Sequence, residues 1–576
     1  MQPQWSIPTF IDARSLSNGE AIDADVCIVG AGAAGITLAR ALKDEPIRVV
    51  VLESGGLNFQ LETQQLYEGT NVGLPYFSLM ESRLRYFGGT TNHWGGWCRP
   101  FDEYDFAPHP GVPNTGWPIG LGDVAPYYPE AAAICGLPSQ TWELDEWQRR
   151  SPHDPIPLDG GPIETRVAQI VQPSERRFAE RYRSEIESIP SVRVFLHASV
   201  VDIELADALN EVVRLGVATL NGPSFSVSAR SYVLATGGIE NARLLLASNR
   251  QLPGGVGNGE GIVGRFFLEH PRFIGARIQP LDERLRPAMY EAHSIGDSRI
   301  TAYLAVDRER QRADGLVDVE LRLATVYPPY FERTRTSADS EALRALVNAI
   351  RRRRINGASM GDAERVLDDL TSWRRFFVPG APLPIPQPAL VELAGRASDS
   401  ELEALIPEFF GDIAVLGFGR VTDGIPIEAI EVSPRIDPAP NPDSRVTLGD
   451  ERDANGVPRA RLNWQLSRID RDSLDATLEI LASELGRTGL GRLQTVLDPG
   501  DSWPEDLAGG YHHMGTTRMS DDPKRGVVDA NSRVHGLSNL YVAGSSVFAT
   551  GSAATPTMTL VALTLRLADH IRANFT

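Results

Sequence analysis

The chain has 576 residues, 42% hydrophobic and 23% charged, the proportions of an ordinary soluble globular protein with room for two or three domains. Its net charge of -19 argues against wholesale binding to nucleic acid or an anionic membrane, both of which need a basic face. No apolar run is long enough to span a bilayer, the start MQPQWSIPTF lacks the order of a signal peptide, and Cys27, Cys98 and Cys135 have neither metal spacing nor the even count of a disulfide framework. A cytoplasmic protein with reduced thiols and no metal site is the expectation.

The first strong element is DADVCIVGAGAAGITLARALKDEPIRVVVLESGG. It predicts an apolar strand from Val26 to Val29, a helix from Ile36 to Leu42, and a second strand from Arg48 to Leu52 that ends at Glu53. Gly30-x-Gly32-x-x-Gly35 falls in the first turn of this β-α-β unit, with Ala33 inside it. Such glycines let the backbone approach a pyrophosphate at a helix N-terminus, and Glu53 stands where a carboxylate accepts ribose hydroxyls. The unit predicts a dinucleotide, and by itself does not distinguish FAD from NAD.

A Gly- and aromatic-rich loop, YFGGTTNHWGGWCRPFDEYDF, follows at residues 86 to 106. Strand-like VRVFLHASVVDIEL occupies 192 to 205, and SYVLATGGIENARLLLAS at 231 to 248 reads as a strand running through Ala235-Thr236-Gly237 into a helix. The stretch from about 271 to 490 is Pro- and Arg-rich. Within it the basic run Arg351 to Arg354 follows Leu343, Leu346, Val347 and Ile350, which share one helical face, and reads as a solvated helix end. Glycine-rich patterning returns near the C-terminus, with a strand at 539 to 544 and a helix at 557 to 571. The cofactor domain therefore reads as discontinuous, with a second domain inserted.

The N-terminal unit, the GGTTNHWGG loop, the ATGG turn and the C-terminal His-x-x-Gly-Thr, GSS and PTMT sequences together resemble the glucose–methanol–choline (GMC) family of FAD oxidoreductases. GGTTNHW is similar to the branch around pyranose 2-oxidase. The resemblance implies an α/β fold: a discontinuous Rossmann-type FAD-binding domain (1–60, 86–106, 192–270 and 500–576) with an inserted α+β substrate-binding domain built on an antiparallel sheet (61–85, 107–191 and 271–499). It implies FAD as cofactor, contacted by the glycine turn, by Gly89, Thr90, Asn92, His93, Trp94 and Gly95 of the loop, and by Val201, Ala235, Gly544, Ser545, Pro556 and Thr557. Ser545 and Ser546 lack the Gly-x-Ser-x-Gly elbow of a nucleophile. In pyranose 2-oxidase-like proteins the histidine of this loop is joined covalently to the flavin, so His93 either carries that link or packs on a dissociable flavin.

YHHMGTTRM, residues 511 to 519, holds two adjacent histidines. The family motif falls on His512, three residues before Gly515, and makes it the candidate base that takes the hydroxyl proton while the flavin accepts a hydride. Neighbours in an extended segment face opposite sides, so His513 is expected to face away. The family's second polar residue, Asn or His, corresponds to Thr555. That departure leaves open retained alcohol oxidation with altered specificity, another C–H oxidation such as desaturation, or lyase chemistry. His270 either approaches the substrate or supports a strand. The implied partners are a small sugar, glycoside or alcohol, and dioxygen, a quinone or a redox protein as electron acceptor.

Overall fold

The computed structural model describes residues 9–326, 427–498, 500 and 502–575. The Arg351 to Arg354 run and the apolar positions before it lie outside the described residues. One compact unit takes residues 1–277, 281–323 and 432–576, and a second takes 278–280 and 324–431. Of the second unit, only the strand ends 278–280, 324–326 and 427–431 are described.

Six strands of the larger unit form a parallel sheet in the order Phe10–Asp12, Val192–Leu196, Val49–Leu52, Val26–Val29, Ser231–Leu234, Leu540–Val542. A parallel sheet is covered on both faces, so its strands read as unbroken apolar runs. Val26–Val29 and Val49–Leu52 are accordingly buried at every position. The helix Ala33–Ala41 returns from the first of these strands and packs against the C-terminal helix Thr557–Ala573.

The glycines of the first turn act through distance. Gly30 has φ of +100°, and a Cβ there would stand 2.7 Å from the Ala235 carbonyl oxygen of the neighbouring strand end. A Cβ on Gly35 would overlap the Gly30 carbonyl oxygen. The helix begins at Ala33, earlier than the apolar pattern from Ile36 implies, because Gly32 itself is its N-cap. The stretch 192 to 205 is two strands rather than one. His197 turns the chain with φ of +59°, sending Ser199–Leu205 into a separate four-stranded sheet with Val212–Ala218, Ser224–Ser228 and Ala21–Asp23.

The second large sheet is antiparallel around Ser298–Val306, which lies between Ile163–Ile170 and Val319–Val326, with Trp97–Cys98 beyond Ile163–Ile170. Its register sets Tyr303 opposite Arg166, and Ala305 opposite Glu320. One face of this sheet thus carries charge into the interior. Glu320, fully buried, takes both Arg99 and Arg435, and Asp318 takes Arg166 and Arg308 at 2.9 Å each. Among the described residues no helix is long and apolar enough to cross a membrane.

Gly35→Ala is expected to cost about 3 kcal/mol, the scale of an overpacked core contact. A lowered melting temperature of the purified protein checks it, and an unchanged one contradicts the close strand–helix approach.

Candidate active site

A cavity of about 460 Å³ joins the segments that the sequence marks as cofactor-binding. Gly30, Gly32, Ala33 and Glu53 form part of its wall, as do Val201 and Ala235. Gly89, Thr90, His93, Trp94 and Gly95 of the loop border it, and so do Gly544, Ser545, Pro556 and Thr557. Gly32 has open space where a Cβ would stand, and no side chain caps its helix. The first-turn N–H groups are therefore left for an anion. Glu53, 5% exposed, accepts from Ala31 N–H at 2.9 Å and from Gly55 N–H at 2.8 Å. Burial pushes its carboxyl above the usual range, and its remaining lone pairs suit ribose hydroxyls. These residues fit the ADP half of FAD.

Three of the predicted site residues do not reach the cavity. Gly35 serves helix–strand packing, as described above. Asn92 is 8% exposed, and its amide turns inward to donate to the Phe87 carbonyl at 2.9 Å, closing the loop on itself. Thr555 is 6% exposed, and its hydroxyl donates to the Trp97 carbonyl at 2.6 Å, so the proposed partner of His512 is spent on structure. His93, by contrast, is exposed and borders the cavity, and among the described residues its ring makes no hydrogen bond.

Both histidines of YHHMGTTRM border the cavity, so His513 does not face away from it. The backbone is not a regular strand here: Tyr511 has φ of +65° before the pair, and only Met514 bridges to Leu268. Two further contacts hold the segment. Gly515 N–H donates to the Ser545 carbonyl at 3.1 Å, and the Ser545 hydroxyl donates to the His513 carbonyl at 2.7 Å. On the other side, Glu269 accepts from the backbone N–H of Gly510 at 3.1 Å and of His512 at 2.9 Å.

The two rings have separate partners. His512 Nδ1 lies 2.7 Å from His270 Nδ1, and His270 Nε2 lies 2.6 Å from the Ser552 carbonyl. A carbonyl only accepts, so His270 Nε2 carries a proton. Burial drives the His270 pKa down to about 3, so the ring is neutral and its Nδ1 is an acceptor. His512 Nδ1 must then donate, which leaves the lone pair on His512 Nε2. Among the described residues that nitrogen has no partner. Burial first, then the cost of a second positive ring beside His270, and then the Arg435 charge hold the His512 pKa well below the usual range. His513 Nε2 instead meets the Tyr76 hydroxyl at 2.8 Å, and its ring leans on Phe267 and Tyr76. Tyr76 also donates to Glu269, whose carboxyl burial raises to about 7.

Glu269 and Tyr76 carry no signal in the sequence, since neither stands in a recognisable spacing with the histidines. The same holds for Glu240 at the cavity wall. It pairs with Arg83 at 3.0 Å, Arg85 at 2.9 Å and Arg243 at 3.1 Å. Burial would raise its pKa, yet these arginines hold it down to about 2.

The GMC oxidoreductase family model matches residues 440–564, the segment that contains the histidine pair and the GSS turn. The chain is thus similar to GMC oxidoreductases over these residues. It is similar over nearly its whole length to 2-methyl-1,2-propanediol dehydrogenase of Mycolicibacterium austroafricanum, 24% identical over 96% of this chain and 95% of that protein. It is similar to the fructose dehydrogenase large subunit of Gluconobacter japonicus, 23% identical over 96% of this chain and 98% of that one. Pyranose 2-oxidase of Tricholoma matsutake is 29% identical over 28% of this chain and 25% of its own length.

Gly32→Val puts a side chain over the helix N-terminus, where a Cβ meets no protein atom within 4 Å. The variant is expected to keep its melting behaviour as apoprotein and to purify with less than about a tenth of the wild-type FAD, by analogy with blocked pyrophosphate approach. The absorbance ratio of flavin to protein checks it, and full occupancy removes FAD from this turn.

Proposed function

We propose that the enzyme oxidises a CH–OH group of a sugar, glycoside or related alcohol, with FAD in the cavity and His512 as the base. One observation carries the reading: the hydrogen-bond chain from Ser552 through His270 leaves the His512 Nε2 lone pair free at the cavity wall. When bound, FAD supplies the hydride acceptor. In this reading the glycine turn and Glu53 hold its ADP half, the loop Gly89 to Gly95 borders its ring end, and His93 either carries a covalent link or packs on a dissociable flavin. The intact mass of the denatured chain separates that link from dissociable packing. The names of the relatives, a diol dehydrogenase, a fructose dehydrogenase subunit and a pyranose oxidase, support the substrate class. In the same reading, residues 1–60, 86–106, 192–270 and 500–576 serve the cofactor, and 61–85, 107–191 and 271–499 serve the substrate.

His512 takes the hydroxyl proton at Nε2. The positive charge this creates is shared with His270, whose Nδ1 lone pair accepts from His512 Nδ1–H. Glu269 holds the His512 backbone so that the ring stays aimed. Thr555 contributes no proton chemistry, because its hydroxyl is committed to Trp97.

His512→Ala is expected to slow anaerobic flavin reduction by about 10² to 10⁴, the contribution of a positioned base. His513→Ala should slow it by less than about tenfold, because loss of its Tyr76 contact disturbs the site without removing the base. Stopped-flow rates with FAD content matched check both, and a dead His513→Ala beside an active His512→Ala overturns the assignment.

The pH profile follows from the lowered pKa of His512. A base with a depressed pKa stays unprotonated as pH falls, so the reduction rate should hold from pH ~8 down to ~6 and decline only below the ordinary histidine range. An inflection near 7 would belong to Glu269, which burial raises to about 7, and should vanish in Glu269→Gln.

A further inference from the structure

The charged face of the antiparallel sheet is not balanced where it approaches the histidines. Arg322 is half-buried and lies over the Trp97 ring at 4.6 Å, yet among the described residues it has neither a hydrogen bond nor an ion pair. Continuing the register of Leu304 with Leu321 sets it opposite Tyr303. Arg435, 8% exposed, lies over the Tyr303 ring at 4.7 Å and spends one arm on Glu320. Neither its Nε nor the Tyr303 hydroxyl, both buried, makes a well-formed hydrogen bond. Exposed Arg272, two residues after His270 in the chain, also has no ion pair among the described residues. The carboxylate that Arg435 uses, Glu320, is shared with Arg99.

Arg435 thus shares its carboxylate with Arg99, and Arg322 has none. An unpaired, partly desolvated cation beside like charges is unfavourable unless an anion completes it. The like charge is felt within the group: after burial and the opposing effect of Tyr303, Arg435 and Arg272 lower the pKa of Arg322. Arg435 and Arg272 also lower that of His512, so these two cations lie within electrostatic reach of the base. Trp97, beneath Arg322, adjoins the cavity as well, because its Cδ1 would stand 3.1 Å from a Cβ on Gly95 in the cavity wall.

We propose that Arg322, with Arg435 and Arg272, forms an oxyanion subsite beside the His270–His512 pair, which takes a carboxylate or phosphate carried by the alcohol substrate. Planar guanidinium forks match either oxyanion, and arginine stacked on an aromatic ring keeps its donors in a fixed plane. The substrate class narrows from sugars in general to acidic ones, such as uronic acids and their glycosides. This inference rests on the alcohol-oxidation reading for its chemistry but not for its binding.

The test is equilibrium binding to the oxidised holoenzyme, followed by perturbation of the flavin spectrum, with methyl glucuronide and methyl glucoside as paired probes. The glucuronide should bind at least tenfold more tightly, and inorganic phosphate should compete with it. Arg322→Gln should remove the difference between the probes, and Arg322→Lys should restore part of it, with FAD content and glucoside binding unchanged in both. Equal affinity for the two probes in the wild type, or a difference that survives in Arg322→Gln, overturns the subsite. Phosphate that tightens glucoside binding instead of competing overturns the substrate-borne charge and assigns the subsite to a free oxyanion. If the glucuronide binds through Arg322 but no alcohol bleaches the flavin, the subsite stands and the oxidation reading falls.

Discussion

The candidate active site depends on how one fully buried carboxylate is satisfied. Glu269 accepts the backbone N–H groups of Gly510 and His512 and the hydroxyl of Tyr76, so it fixes the histidine segment from beneath while Tyr76 reaches on to His513. A buried carboxylate without such donors would be costly, and the same donors position the two rings. Its neighbour His270 does the chemical part. Because Ser552 only accepts, one proton assignment follows from another until the lone pair is left on His512 Nε2. Geometry at residues 269, 270 and 552 therefore selects the tautomer of residue 512.

The two large sheets solve different problems. The parallel sheet buries apolar strands on both faces, and its glycine turn is so tight that a side chain at position 30 would meet the neighbouring strand end and one at position 35 the Gly30 carbonyl. The antiparallel sheet buries ion pairs instead. Asp318 and Glu320 are nearly inaccessible, and each is met by two arginines. Paired in this way, charges are tolerated inside, and removing one partner leaves the other exposed to the full cost of burial. Arg322 on the same sheet has no acid paired with it among the described residues and lies over the Trp97 ring.

Thr555 shows how a motif position and a geometric position can part. Its place in the sequence, before Pro556 and Thr557, is that of the family's second polar residue. Its hydroxyl is short, and a carbonyl stands within reach, so it bonds to Trp97 and leaves the cavity wall. Asn92 behaves alike, turning its amide to Phe87. In both cases an unsatisfied local carbonyl competes with the ligand for the side chain.

Much of the candidate cofactor site was legible from residue order, because a dinucleotide turn is a local device: strand, glycines, helix and a carboxylate at the next strand end all lie between Val26 and Glu53. The loop Gly89 to Gly95 and the turn at Gly544 and Ser545 were legible through family motifs, and His512 through its spacing to Gly515. What only the tertiary structure decided are pairings between residues far apart in the chain. His270 meets His512, Tyr76 meets His513, Thr555 meets Trp97, and Arg322 reaches Trp97 with no acid beside it. Periodicity and motif spacing report on neighbours within one element. Hydrogen-bond direction, tautomer and charge balance depend on which elements the fold brings into contact.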